Sequence, residues 1–291
     1  VRVHPELLLA PTENGVTPVA RKAEATSFRP SQSSGGASNS SGWTLTDWFE
    51  NIYLQTAGAD LYDQLTSHEI PWNHPTVVTA LGIMADILRP EWIVFDAAGT
   101  TYEESVRRVF KRLDDPDAAM VFGADFVANE VARTGAKIGE DARFFPFPLF
   151  SGGMPTVVGG AEQGASREVG GDVAVVMRDT EEARALLRFL ARPDAAVPWA
   201  QLGGFLSPNR NFPEQEYPDD ATRRAARPLA EAATVRFDLS DLQHAEFGST
   251  PGKGMWSILR DLVKDRPAPA AMADRLEDAY CSTAPPAKAC R

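Results

Sequence analysis

A chain of 291 residues is long enough for one large or two ordinary domains, and 43% hydrophobic with 24% charged residues is a globular composition. The net charge of −11 leaves no basic surplus for phosphates, which excludes a nucleic-acid partner and disfavours an anionic substrate. A neutral polar ligand is the expectation, and no stretch approaches the roughly 20 consecutive apolar residues that cross a bilayer.

In chain order, residues 1–41 mix proline, charged and small polar residues without a period and end in the Ser/Gly run 31–41, a flexible-linker composition. This segment is expected to be disordered or foreign to the fold that follows. Its one apolar patch, Leu7 to Ala10, is too short for the hydrophobic region of a signal peptide. From Gly42 onward Leu45, Trp48, Phe49, Ile52 and Tyr53 recur at helical spacing, with Thr44 or Thr46 as N-cap. Pro75 opens a second helix through Val77, Val78, Leu81, Met84 and Leu88, and 103–113 forms a third with Val106, Val109 and Phe110 inward. The apolar run 118–122 predicts a buried strand, 125–136 a helix, and 144–150, with two prolines, an extended segment. Residues 173–177 predict another apolar strand. Thr180 caps a helix whose Ala183, Leu186, Leu187 and Leu190 form one stripe. Met255, Ile258, Leu259 and Leu262 mark the last strong helix, and 270–280 a weaker one. Short strands scattered among many helices make the class α/β.

Catalytic signatures are missing: there is no GxSxG, P-loop, HExxH or GxGxxG pattern. His4, His68, His74 and His244 stand singly and read as surface or capping residues. Cys281 and Cys290 either close a small loop or remain free thiols; spacing leaves both open. Without a CxxC pair or a His/Cys cluster in the sequence, neither structural zinc nor a cofactor is expected.

Aromatic or glycine-rich turns beside carboxylates are in excess: Gly42-Trp43-Thr44-Leu45-Thr46-Asp47-Trp48, Phe122-Gly123-Ala124-Asp125-Phe126 and Val169-Gly170-Gly171-Asp172. Sugars need this combination, because an aromatic face packs on the apolar side of a pyranose while carboxylates accept from its hydroxyls. Trp43 and Phe126 are candidate stacking faces, and Asp47, Asp125 and Asp172 candidate acceptors. Trp48 is a further candidate, although Trp48 and Phe49 also fit a core stripe. Asp125 and Asp172 allow an alternative reading as the carboxylate pair of a glycoside-active enzyme.

With these residues, the sequence resembles the extracellular sugar-binding proteins of ABC importers, specifically the α-glucoside-type branch of family 1. The resemblance continues through Tyr62-Asp63-Gln64-Leu65, His68-Glu69-Ile70-Pro71-Trp72, Gly203-Gly204-Phe205-Leu206-Ser207-Pro208-Asn209, Arg236-Phe237-Asp238-Leu239 and Gly252-Lys253-Gly254-Met255-Trp256, covering 42 to about 280 in family order. It implies a two-lobed periplasmic-binding-protein-like (type II) α/β fold with most of lobe one missing. Residues 42–172 would be lobe two, 173–225 the return segment to lobe one, and 226–291 helices crossing the hinge and lobe two. It further implies a non-enzymatic, monomeric, extracytoplasmic protein that holds a neutral carbohydrate between the lobes and docks on permease transmembrane subunits. Gly170, Gly171, Gly203, Gly204 and Phe205 join the ligand-binding candidates. A truncated, non-binding remnant is the other reading, its return segment exposing apolar surface. The repeat of Gly159-Gly160 at Gly170-Gly171 is resolved for the second pair because an apolar strand is expected directly after it.

Overall fold

The structure, a computed structural model, describes residues 4–11, 42–90, 92–93, 97–111, 116–147, 149–151, 154–156, 166–283 and 290. Its strands are β1 (His4–Pro11), β2 (Val121–Ala124), β3 (Ala142–Pro146), β4 (Leu149–Ser151), β5 (Met154–Thr156), β6 (Ser166–Gly170) and β7 (Thr234–Phe237). The first five helices are α1 (Trp43–Ala57), α2 (Ala59–Thr66), α3 (Pro75–Ile87), α4 (Tyr102–Phe110) and α5 (Val127–Arg133). They are followed by α6 (Glu181–Leu190), α7 (Val197–Ala200), α8 (Asp220–Ala230), α9 (Ala245–Gly248), α10 (Gly254–Lys264) and α11 (Pro269–Thr283).

One mixed sheet organises the molecule in the order β2-β1-β6-β7, with β3 also paired to β1; β4 and β5 form a separate hairpin. β1 runs antiparallel to β2, β3 and β6, whereas β6 and β7 are parallel. Consequently β2, β3, β6 and β7 all point the same way, and their C-terminal ends share one edge. Residues 4–11, expected to be loose with the rest of 1–41, instead supply the strand to which β2, β3 and β6 pair. The alternation that short strands require is visible on both faces. Phe122 packs into the core formed by α1, α3, α10 and α11, while Val121 packs into the core of α4 and α5. On β3, Phe145 joins the first core and Phe144 the second. On β6 and β7, Val169, Val235 and Phe237 join a third core with Phe205, Leu206, Tyr217 and Leu229.

Helix boundaries follow local chemistry. Thr180 caps α6 by accepting from the Ala183 N–H at 3.2 Å, and His74 caps α3 ahead of Pro75, as a capping histidine should. At α1 the expected threonine cap is not found: Gly42 stands at the N-cap, and Thr46 Oγ1 instead donates to the Trp43 carbonyl at 2.8 Å. Gly42 is dictated by space, since a Cβ there would lie 2.6 Å from the Trp256 ring. The strand expected over 118–122 begins at Val121, and 144–150 is extended in β3 and β4.

A further expectation is corrected. Residues 173–177 form no ladder, and the strand lies before Gly170-Gly171 rather than after it, because β6 takes the place beside β1 and β7. Met177 is 92% and Val175 69% exposed. The stripe of α6 forms as read, but faces solvent: Leu186, Phe189 and Leu190 are exposed and none of its residues is buried. The Gly159-Gly160 pair lies outside the described residues.

An aromatic core lies under α1. Phe49 is fully buried and stacks on Tyr53 at 5.6 Å and near Trp72 at 6.2 Å. Phe49→Ala is expected to lower unfolding free energy by about 3–5 kcal/mol, read from the urea midpoint.

Candidate functional site

Three aromatic rings meet where α1, α4 and the β2–α5 turn converge. Trp43 lies 5.2 Å from Tyr102 and 5.7 Å from Phe126, and Tyr102 lies 5.5 Å from Phe126. Trp43 and Phe126 are half-buried and pack against the core that contains the buried Tyr102. Tyr102 was not among the sequence candidates, because nothing in its flanking residues distinguishes it from a helix-face anchor. Asp125, directly before Phe126 at the end of β2, is buried, and its charge acts on the buried Tyr217. Burial is the larger influence and pushes the Tyr217 phenol up; its hydroxyl oxygen accepts from the Ser207 N–H at 2.9 Å.

The Gly203-Gly204 turn reaches the same place from another direction. Gly203 and Gly204 have φ of +80° and +66°, and a Cβ on Gly204 would fall 2.5 Å from the Asn129 side chain of α5. Here glycine is required both by conformation and by close approach. Phe205 is buried and stacks on Trp199 at 4.8 Å, so it supports the turn from the core.

The sheet register locates the third turn. Gly170 pairs with His4 and Ala124 with Glu6 on the intervening strand β1, so both chains leave the sheet at its C-terminal edge. Two strand spacings and a two-residue offset separate these backbones by roughly 12 Å. Gly171 is half-buried beyond that edge, and Asp172 is exposed. Ligands of open α/β sheets bind at this edge. Trp43 and Phe126 are therefore brought together next to Asp125, Gly204 lies against Asn129 one turn along α5, and Gly170 leaves the sheet at the same edge as Ala124.

Trp48 and Asp47 lie deeper. Trp48 is 3% exposed and packs on Phe122 at 4.6 Å and Phe147 at 5.3 Å, so it occupies the core-stripe position. Asp47 belongs to an acidic group with Glu50 and Glu168, both buried like itself, the half-buried Asp238 and the exposed Asp241 at its margin. Glu50 accepts from the Leu239 and Ser240 N–H groups at 2.5 and 3.1 Å, and Asn51 donates to Glu168 at 2.8 Å. Asp238 accepts from Ser240 Oγ at 2.8 Å and from the Asp241 N–H at 3.0 Å. Tyr62, itself held up by burial, donates to the Phe237 carbonyl at 3.0 Å. Burial first, then repulsion by Asp238 and Glu168, holds Asp47 and Glu50 well above the usual carboxylate range. Asp241 is pushed up to about 6 by burial and then by Asp238. Residues scattered over 47–241 build this group, which only the fold assembles.

No protein-family model matches the chain. The osmoprotective compounds-binding protein GgtB of Synechocystis is 32% identical over 230 residues, 77% of this chain and 51% of that protein. The alpha-glucosides-binding periplasmic protein AglE of Rhizobium meliloti is 29% identical over 232 residues, 78% of this chain and 48% of that protein. This chain is a relative of these two solute-binding proteins. It spans about half the length of the curated relatives it matches. The family fold extends over nearly all of the chain: a chitin oligosaccharide binding protein superposes with TM-score 0.68 at 12% identity, over 96% of this chain and 69% of that one. The two-lobed periplasmic-binding-protein-like fold implied by the sequence is thus the fold of the solved neighbours. Among the described residues, no helix is long and apolar enough to cross a membrane.

The buried acids give a pH signature opposite in sign to ordinary acid unfolding. A carboxylate raised on folding contributes its stability below its unfolded value, about 4, and loses it as pH rises through the higher folded value. Asp47→Asn removes one such charge without orphaning a backbone N–H. Its thermal midpoint is expected above that of the parent at pH 8, with the gain shrinking toward pH 5. Midpoints measured across that range check this; a pH-independent difference would contradict it.

Proposed function

We propose that this protein is the substrate-binding component of a carbohydrate ABC importer and holds a neutral mono- or oligosaccharide at the rim described above. One observation carries the reading. The half-buried Trp43 and Phe126 rings stand beside Asp125 at the C-terminal edge of the sheet, where the Gly203-Gly204 turn also brings backbone close. Trp43 and Phe126 stack on the sugar ring, Asp125 and Asp172 accept from hydroxyls, and Gly171, Gly203 and Gly204 offer backbone groups. Asp47 and Trp48 support the site from within. The name of AglE makes an α-glucoside the first sugar to test.

In this reading residues 42–172 are lobe two and 173–225 lead to lobe one. The exposed Val173, Val175 and Met177, with Leu186 and Phe189 of α6, are the apolar surface on which the other lobe packs. The sugar is then gripped between lobes, and closure rather than chemistry is its consequence, presenting a closed monomer to the permease outside the cytoplasm. The alternative, glycoside hydrolysis by Asp125 and Asp172, finds less support. Asp172 is exposed, and the named relatives are binding proteins.

Calorimetry with maltose, trehalose and sucrose tests the proposal. At least one sugar is expected to bind without being cleaved, and Trp43→Ala to weaken it about tenfold, the value of one lost stacking contact. No heat with any of them, or release of free glucose, would contradict it.

A further inference from the structure

Away from the sheet edge, the fold assembles what the sequence scatters. His68 follows α2 in the left-handed region with φ of 56°, and its ring stacks on Tyr280 at 4.0 Å. Its Nε2 faces Glu277 at 3.1 Å. Glu277 is fixed in turn by the Trp72 N–H at 2.7 Å. One turn further along α11, Cys281 Sγ lies 3.3 Å from Glu277 Oε1 and is bonded to Cys290. The His68, Glu277, Cys281 and Cys290 ligand atoms all lie within 4.8 Å of one another. His68 and Glu277 side chains are 12% and 18% exposed, so the group is sheltered yet open to an entering ion.

This is an N, O, S, S donor set of the kind that binds zinc tetrahedrally, with ligands about 2.0–2.3 Å from the metal and hence about 3.3–3.8 Å from each other. The His68–Glu277 and Glu277–Cys281 separations are already close to that range. Only the two sulfurs, held together by their bond, need to part. We propose that reduction converts this disulfide clasp into a zinc(II) site formed by Cys281, Cys290, His68 and Glu277. An external dithiol supplies the electrons: its two thiols become a disulfide, the Cys281–Cys290 bond breaks, and each sulfur takes one of the reductant's protons. Zinc binding then expels both protons to water, leaving two thiolates on the metal, with neutral His68 donating through Nε2. The oxidised chain lacks two of the four ligands, so the disulfide and the metal exclude each other.

Cobalt(II) is the probe, added to the full chain after reduction with a dithiol and removal of the reductant under nitrogen. The expected result is thiolate-to-cobalt charge-transfer absorption saturating at one equivalent and displaced by zinc, with no such band from the oxidised chain. His68→Asn, which tolerates the left-handed backbone, and Glu277→Gln, which still accepts from Trp72, should each weaken binding at least about tenfold. In the unsubstituted reduced chain, one equivalent of zinc should slow disulfide re-formation by oxidised glutathione at least about tenfold. Absence of the band, affinity indifferent to both substitutions, or an unchanged reoxidation rate would each overturn the proposal.

Discussion

The carboxylate of Glu50 is the tie on which the rest of the architecture depends. It is fully buried in α1 and accepts two backbone N–H groups from the segment leaving β7. Its neighbour Asn51 reaches Glu168 on β6, and Tyr62 of α2 reaches the last carbonyl of β7. Two strands distant in sequence, β6 and β7, are thereby fixed to α1 and to the helix that follows it. Trp43 sits seven residues before Glu50, two helical turns or about 10.5 Å along the same face. The ring at the sheet edge and the tie in the interior are therefore parts of one rigid rod. Placing several acids in one dry region is costly, because each is desolvated and repelled by the others. The arrangement fixes orientation more than it adds stability.

That rod separates two roles that the sequence presents side by side. Trp43 and Trp48 belong to the same short motif, yet a shift of five positions rotates the second ring from the rim into the core against Phe122 and Phe147. Asp47 and Asp125 are likewise both acids beside aromatics, but Asp47 belongs to the interior tie and Asp125 to the rim. Residue type suggests sugar chemistry; helix phase decides which copies reach the ligand.

Much of the fold was legible because helical periodicity is a local property. The α1, α3, α6 and α10 stripes were readable, as were Pro75 and Thr180 at helix starts. Strand pairing was not, since register depends on partners far away in the chain. β1 is hidden inside a segment of linker-like composition, and the run 173–177 has a strand's apolar composition although no described neighbour pairs with it. Of the candidate site, the turns containing Trp43, Asp125-Phe126 and Gly203-Gly204 were visible as motifs. Tyr102, Asn129 and the Glu50–Glu168–Asp238 group were not, because ordinary helix and strand positions acquire their roles only through packing. The same holds at the C-terminal clasp, where two cysteines gave no hint of His68, more than two hundred residues earlier.

In the proposed binding mode a sugar touches the rim aromatics while the interior stays closed. Isotope labelling of the tryptophan indole nitrogens, followed by nuclear magnetic resonance during titration with a neutral α-glucoside, separates the two regions directly. The Trp43 signal should shift in proportion to occupancy while those of the buried Trp48 and Trp72 stay near their free positions. Equal shifts at all three, or a saturating ligand that leaves Trp43 unmoved, would contradict the assignment of this edge as the binding site.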